Sequence, residues 1–270
     1  MRITNVMRGE EWMPSLPKHV LLYQALQWEM PTFTHLPLLI QADGSKLSKR
    51  QQHASVQDYV DKHYLPEAIV NFVALLGWNP KTTKELFSMD ELIGAFSLGG
   101  INKAPAVVDL NRLGWMNKQH LHARIDQAPS TLTTALRECV HDTLKLQVDD
   151  NVYLEQVLRL SKERIQTIQD ITERFPFLFR DYPVQSSPLS AEHKQVIIHS
   201  IQAFQPIEQW THEDLQAALP IIQQQAGVKP SVVYQALRHA VMGTPIGPHV
   251  LPTLQLLTKS TVLDRLAQCI

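Results

Sequence analysis

From residue 56 to the C-terminus, apolar residues recur three and four positions apart between prolines, and this period restricts the chain to a mainly α-helical fold. Ile69, Phe72, Val73 and Leu76 form one such stripe. Pro66 opens it, as suits a first helical position, and Gly77 closes it as an expected left-handed cap. Ser88 and Glu91 have the spacing of a capping box ahead of Leu92, Ile93 and Phe96. Asn151 precedes Leu154, Val157, Leu158, Ile165 and Ile168, read as one stripe, and Ile197, Ile201 and Phe204 lie between Pro188 and Pro206. Thr211 with Asp214, and Lys229-Pro230-Ser231, mark two further helix starts. Ten glycines against 17 prolines are few for a protein of tight strand turns. No internal repeat of about 20–50 residues is visible, which disfavours a solenoid.

The first 55 residues read differently. Pro17 opens the segment Lys18 to Trp28, where Val20, Leu21, Leu22, Tyr23, Ala25 and Leu26 are too uniformly apolar for a surface helix, so a buried helix is expected. Thr34 to Gln41 is a short apolar run ending at Asp43-Gly44, the best candidate for a buried strand followed by a loop. That loop carries Lys46, Lys49 and Arg50. Seams are expected near 51–56, near Asp126 to Ser130, and in the Pro/Ser-rich stretch Tyr182 to Ser190.

A net charge of −1 and a pI near 6.9 leave no global positive field, so nucleic-acid binding needs a local face. Cys139 and Cys269 form no CxxC pair, which argues against a disulfide framework and a structural zinc site and for a reducing compartment. No apolar run approaches the roughly 18–20 residues of a membrane span, and the N-terminal residues lack a signal-peptide core, so a soluble protein is expected. In His120-Leu121-His122 the i,i+2 spacing turns the two rings apart on a helix, so no metal site is expected there.

Flexible ammonium groups in the Lys46-Leu47-Ser48-Lys49-Arg50 run suit phosphate, since they can follow negative charge as it builds on a triphosphate. Taken alone the run reads first as a solvated charged turn, since short basic runs are common. It is preceded, however, by Arg8-Gly9-Glu10-Glu11-Trp12, then Pro17-Lys18-His19 with Leu21-Leu22-Tyr23, then His35-Leu36-Pro37-Leu38-Leu39. Residues 64–78 (YLPEAIVNFVALLGW) and 237–266 follow. This ordered set resembles the glutamyl-tRNA synthetases, class I enzymes with a KMSKS-type loop, an LPEAL-N-LALLGW helix and an LR-ALTG-GP-LLG-RL ending.

The resemblance implies a Rossmann-like catalytic-domain tail over 1–55, a helical stem-contact region over 56–125 and an all-α anticodon-binding domain over 126–270. It implies an ATP-dependent activation of glutamate and its transfer to tRNA-Glu, with tRNA-Gln as a further candidate and Mg²⁺ accompanying ATP. Arg8 matches the arginine that holds glutamate, the alternative being a surface salt bridge with Glu10 or Glu11. Trp12 matches an aromatic of the amino-acid pocket, although a tryptophan here equally suits a core anchor. Glu11 matches a position near ATP. Lys46 and Lys49 match the catalytic phosphate lysines, with Leu47, Ser48 and Arg50 completing the ATP-binding loop. Asn102, Lys103, Arg112, Asn117, Lys118, Gln119, His120 and Arg124 fall in the region that approaches tRNA. A helical C-terminal half separates the chain from glutaminyl relatives, whose anticodon-binding part is built from β-barrels.

The sequence departs from the pattern in places. Asn5 stands where many members have histidine, and His63 where a glycine usually precedes YLPE, a loss that costs stability if φ there is positive. No HIGH-type motif is present; the nearest string, Ile246-Gly247-Pro248-His249, is at the wrong end. The chain is therefore expected to be a fragment, or one part of a split enzyme acting with a separate N-terminal half. The alternative is a noncatalytic tRNA-binding module. Blocks such as GEEWMPSLPKH look like fungal-type mitochondrial members, so the mitochondrial matrix is the expected compartment and the cytoplasm the alternative.

Overall fold

The computed structural model describes residues 2–45, 55–180, 182, 184 and 189–270. The phosphate-loop residues Lys46, Leu47, Ser48, Lys49 and Arg50 lie outside these. The fold is mainly α-helical and divides into two compact units, Met1–His120 and Leu121–Ile270.

The first unit begins with a βαβ arrangement. Strand β1 (Asn5–Gly9) runs through a 3-10 turn (Glu10–Ser15) into helix α1 (Leu16–Ala25), and β2 (Thr32–Leu36) returns parallel to β1. A parallel pair requires such a crossover. In this register Arg8 stands opposite His35 and Met7 opposite Thr34. Side chains alternate across a strand, so Arg8 and His35 share one face while Met7, Gly9 and Leu36 share the other.

Helix α1 is not the buried helix expected: none of its residues is buried, and Leu21 and Leu22 are 63% and 58% exposed. A two-stranded ribbon offers too little surface to cover an all-round apolar helix. The run Thr34 to Gln41 is likewise only half-buried, and Pro37, which has no N–H to donate, separates β2 from β3 (Leu39–Ile40). The turn beyond it is as expected: Gly44 has φ +80°, and the Ser45 N–H donates to Asp43 Oδ1 at 2.9 Å. These Ser45 hydrogen bonds hold the Asp43 carboxyl below its usual pKa.

Helix α2 (Val56–Asp61) precedes α3 (Pro66–Gly77), which has proline in its first turn. The buried face of α3 is Ala68, Asn71 and Phe72, while Val73 is 58% exposed. Gly77 is not a left-handed cap. The chain leaves directly into extended Trp78, and the Gly77 carbonyl accepts from Asn102 N at 2.8 Å, so no αL turn is needed to satisfy it. The capping box of α4 (Met89–Ala95) forms as its spacing predicts, Ser88 Oγ accepting from Glu91 N at 3.2 Å and Glu91 from Ser88 N at 2.9 Å. Strand β4 (Ala106–Val107) pairs with β3, and α5 (Leu110–Gln127) follows. Phe72, Leu113 and Met116 form one core cluster of this unit, and Trp78, Phe87 and Leu92 a second.

Several polar residues of the region expected to approach tRNA make hydrogen bonds or ion pairs within this unit. Asn117 is fully buried and accepts from Leu65 N at 2.8 Å. His120 Nε2 contacts Asn71 Oδ1 at 3.0 Å, an oxygen that also accepts from Phe87 N at 2.9 Å. Arg112 pairs with Glu85 at 3.2 Å. Polarity on a helix marks either a wet face or a buried hydrogen-bond network, and composition does not distinguish them.

In the second unit, α6 (Thr133–Leu144), α7 (Asn151–Ser161) and α8 (Gln169–Arg174) are followed by α9 (Ala191–Phe204), which packs against α10 (His212–Ala226) and α11 (Pro230–Met242). Helices α12 (Val250–Leu257) and α13 (Lys259–Ala267) complete it. Leu136, Leu154, Leu158, Ile197, Phe204 and Leu237 are fully buried, each contributing about 1.5–3 kcal/mol of transfer energy. The stripe from Leu154 to Ile168 is not one helix. It breaks at a 3-10 turn (Lys162–Arg164), after which Asp170 accepts from Gln166 N and Thr167 N and starts α8.

Candidate functional site

In the first unit, Arg8 projects from β1 into a nest of rings. Its Nε donates to His35 Nε2 at 3.4 Å, and both terminal nitrogens lie 3.4 Å from His19 Nδ1 on α1. The guanidinium lies 5.2 Å from the Phe33 ring centre and 5.7 Å from that of Trp12, within cation–π range. Trp12 is 51% exposed and so is not a core anchor. Among the described residues no carboxylate pairs with Arg8, so the salt bridge to Glu10 or Glu11 does not form. The Glu11 carboxylate instead tucks against Gly9, where a Cβ would lie 2.1 Å from Glu11 Oε2. Only a bare backbone leaves it that place.

On the opposite face of the ribbon, Met7, Glu11, Leu36, Val73, Trp78 and Phe96 line an apolar cavity of about 690 Å³. Together with the exposed Leu21, Leu22, Leu26 and Trp28, it leaves this unit with more uncovered apolar surface than isolated side chains explain.

The second unit holds a larger groove of about 1010 Å³, lined by Arg159, Arg164, Arg180, Trp210, His249 and Glu163 among others. The Arg180 guanidinium lies 4.6 Å from the Tyr153 ring centre. Trp210 is pinned by donating Nε1–H to Leu254 O at 2.8 Å and by an edge contact with Phe204. Burial, and then the neighbouring Arg164, lower the pKa of Arg238 from its usual value. Converging guanidinium groups beside a fixed aromatic suit a phosphate backbone with unstacked bases. The sequence reading missed this groove because Arg159, Arg164 and Arg180 sit in different local contexts and only the fold brings them together. Among the described residues no group of three or more His, Cys, Asp or Glu converges to hold a metal ion.

A parallel βαβ start followed along the chain by a mainly helical body is consistent with the C-terminal portion of a class I aminoacyl-tRNA synthetase. Residues 1–115 match the family described as tRNA synthetases class I (E and Q), catalytic domain, and residues 131–270 match the Anticodon binding domain family. The chain belongs to this glutamyl and glutaminyl branch of the class I tRNA synthetases. Over 99% of its length it is 38% identical to a glutamate–tRNA ligase of Chlorobaculum parvum and 35% identical to one of Clostridioides difficile. It spans about half of these relatives, 56% in each case. The crystal structure of a glutamate tRNA ligase from Elizabethkingia meningosepticum, in complex with its amino acid, superposes with a TM-score of 0.85 at 28% identity, covering all of this chain and 57% of that one. The glutamate-tRNA synthetase of Elizabethkingia anophelis gives a TM-score of 0.82 at 29% identity.

Proposed function

We propose that these 270 residues form the C-terminal part of a glutamate–tRNA ligase, whose catalytic domain is completed by residues equivalent to the portion of the relatives that the chain does not span. The observation that carries this reading is the end-to-end match to glutamate–tRNA ligases. In the reaction the glutamate α-carboxylate attacks the α-phosphate of ATP and pyrophosphate leaves; a hydroxyl of the terminal adenosine of tRNA-Glu then attacks the acyl carbon of the adenylate, forming the ester and releasing AMP.

In this reading residues 1–55 complete the catalytic domain, 56–125 approach the acceptor stem and 126–270 take the anticodon. Arg8 binds the carboxylate that is not reacting, its planar fork matching two oxygens. Trp12 walls the amino-acid pocket. Glu11 faces the nucleotide side, away from any pairing with Arg8. Lys46 and Lys49 neutralise charge on the phosphates in the transition state, with Leu47, Ser48 and Arg50 shaping that loop. Mg²⁺ travels with the triphosphate, and no residue of the chain is assigned to it. The apolar cavity beside Val73 and the uncovered side of α1 suit the remaining part of the catalytic domain, which would bury them.

Arg159, Arg164 and Arg180 supply the anticodon-loop contacts. Replacing all three by alanine is expected to weaken tRNA-Glu binding and to lower the slope of log K against log salt by about 2, at about 0.7 per lost single-strand phosphate contact. Filter binding across a salt series measures this. An unchanged slope would place tRNA elsewhere.

A further inference from the structure

The guanidinium of Arg8 is held by two imidazoles and, among the described residues, by no acid. Arginine carries only donors, so each ring nitrogen facing it must present a lone pair. His35 does so through Nε2 and His19 through Nδ1, each 3.4 Å from arginine nitrogens. Accepting at these atoms requires neutral rings of opposite tautomer, with the proton of His19 on Nε2 and that of His35 on Nδ1. Three successive elements deliver the groups, Arg8 on β1, His19 on α1 and His35 on β2, and the strand register sets His35 directly opposite Arg8. The His19 ring is itself fixed, stacking on Phe33 at 6.4 Å with 14° between planes. Phe33 and Trp12 bracket the same guanidinium.

Neutral acceptors can orient a guanidinium without cancelling its charge. A carboxylate in either place would also orient it, but would leave little attraction for a second anion. We propose that His19 and His35 are positioning residues that aim Arg8 at a carboxylate ligand while leaving its positive charge uncompensated. This rests on the reading of Arg8 as the glutamate-binding arginine.

The test uses the 270-residue chain, ¹⁵N-labelled, near pH 8. Long-range ¹H–¹⁵N spectra are expected to show the Nε2–H tautomer at His19 and the Nδ1–H tautomer at His35. Exchange of the Arg8 Nε proton with water is expected to speed up about tenfold in His35→Ala, the loss of one hydrogen bond. His35→Gln returns an acceptor at the Nε2 position and restores protection; His19→Asn does the same for the Nδ1 position against His19→Ala. Backbone amide spectra verify that each variant is folded. Either tautomer reversed, a protonated ring, or Arg8 exchange unchanged in both alanine variants would overturn the proposal. These readouts need no substrate, so they judge the clamp separately from the ligase reading, which pyrophosphate exchange judges by itself.

Discussion

At the residue scale, backbone conformation explains one departure from the family pattern. His63, standing where a glycine is usual, has φ +54°. A left-handed residue with a side chain costs about 1–2 kcal/mol, against roughly 0.5–1 kcal/mol of extra entropy that glycine loses on folding. His63→Gly is therefore expected to raise stability by about 0.5–1 kcal/mol, read as a higher urea midpoint at constant slope. Thr258 is further from comfort, with φ +70° and ψ 155°, a region almost reserved for glycine and worse for a β-branched residue. The sequence offered His63 as a conditional cost, but the sign of φ is a property of the turn and had to be seen. Cys139 gives a pH prediction. Burial, aided by Glu138 and Asp142, pushes its thiol from 9.0 up to about 12. The unfolded chain thus loses this proton first, and stability falls as pH rises from about 9 toward 12, by up to about 1.4 kcal/mol per unit. Cys139→Ala should flatten that slope in denaturation curves taken at successive pH values; an unchanged slope would contradict the assignment.

At the scale of elements, what depends on a few neighbouring residues was readable and what depends on distant ones was not. The Ser88–Glu91 box, the Thr211 cap accepting from Asp214 N at 3.2 Å, and proline-led α3 and α11 all follow from local chemistry. The exposure of α1, the direct exit of Gly77 and the break at Lys162–Arg164 depend on what packs alongside. Arg265 on α13 is the least readable: only 6% exposed, it donates to Phe177 O at 2.8 Å and Val241 O at 3.0 Å, with Phe179 O and Tyr182 O at 3.5 Å. Burial lowers its pKa from the ordinary value, and carbonyls take the place of a carboxylate partner. It ties α13 to α11 and to the segment that carries Arg180. Arg265→Ala removes the side-chain donor from the buried Phe177 and Val241 carbonyls, while Phe179 O keeps the Tyr182 N–H at 3.0 Å, and is expected to cost about 3 kcal/mol, with Arg265→Lys recovering part. Thermal unfolding of the two variants checks this, and equal stability of Arg265→Ala and the parent would contradict it.

At the scale of the whole molecule, the two units differ in how fully they are closed. The helical unit buries most of its large apolar residues and keeps its arginine groove open. The βαβ unit leaves Leu21, Leu22, Leu26, Trp28 and an apolar cavity uncovered. Family membership was legible from ordered motifs along the chain. The positions of Arg8, Glu11 and Trp12 relative to one another were not, since they follow from strand register and from the bare backbone at Gly9. If these residues supply the phosphate lysines and Arg8 while residues equivalent to the relatives' N-terminal portion supply the rest of the nucleotide fold, glutamate activation must require both. Glutamate-dependent ATP–pyrophosphate exchange measures that step directly. The purified 270 residues are expected to give no exchange alone and to give exchange once a polypeptide equivalent to the relatives' N-terminal portion is added; exchange by the 270 residues alone would contradict this.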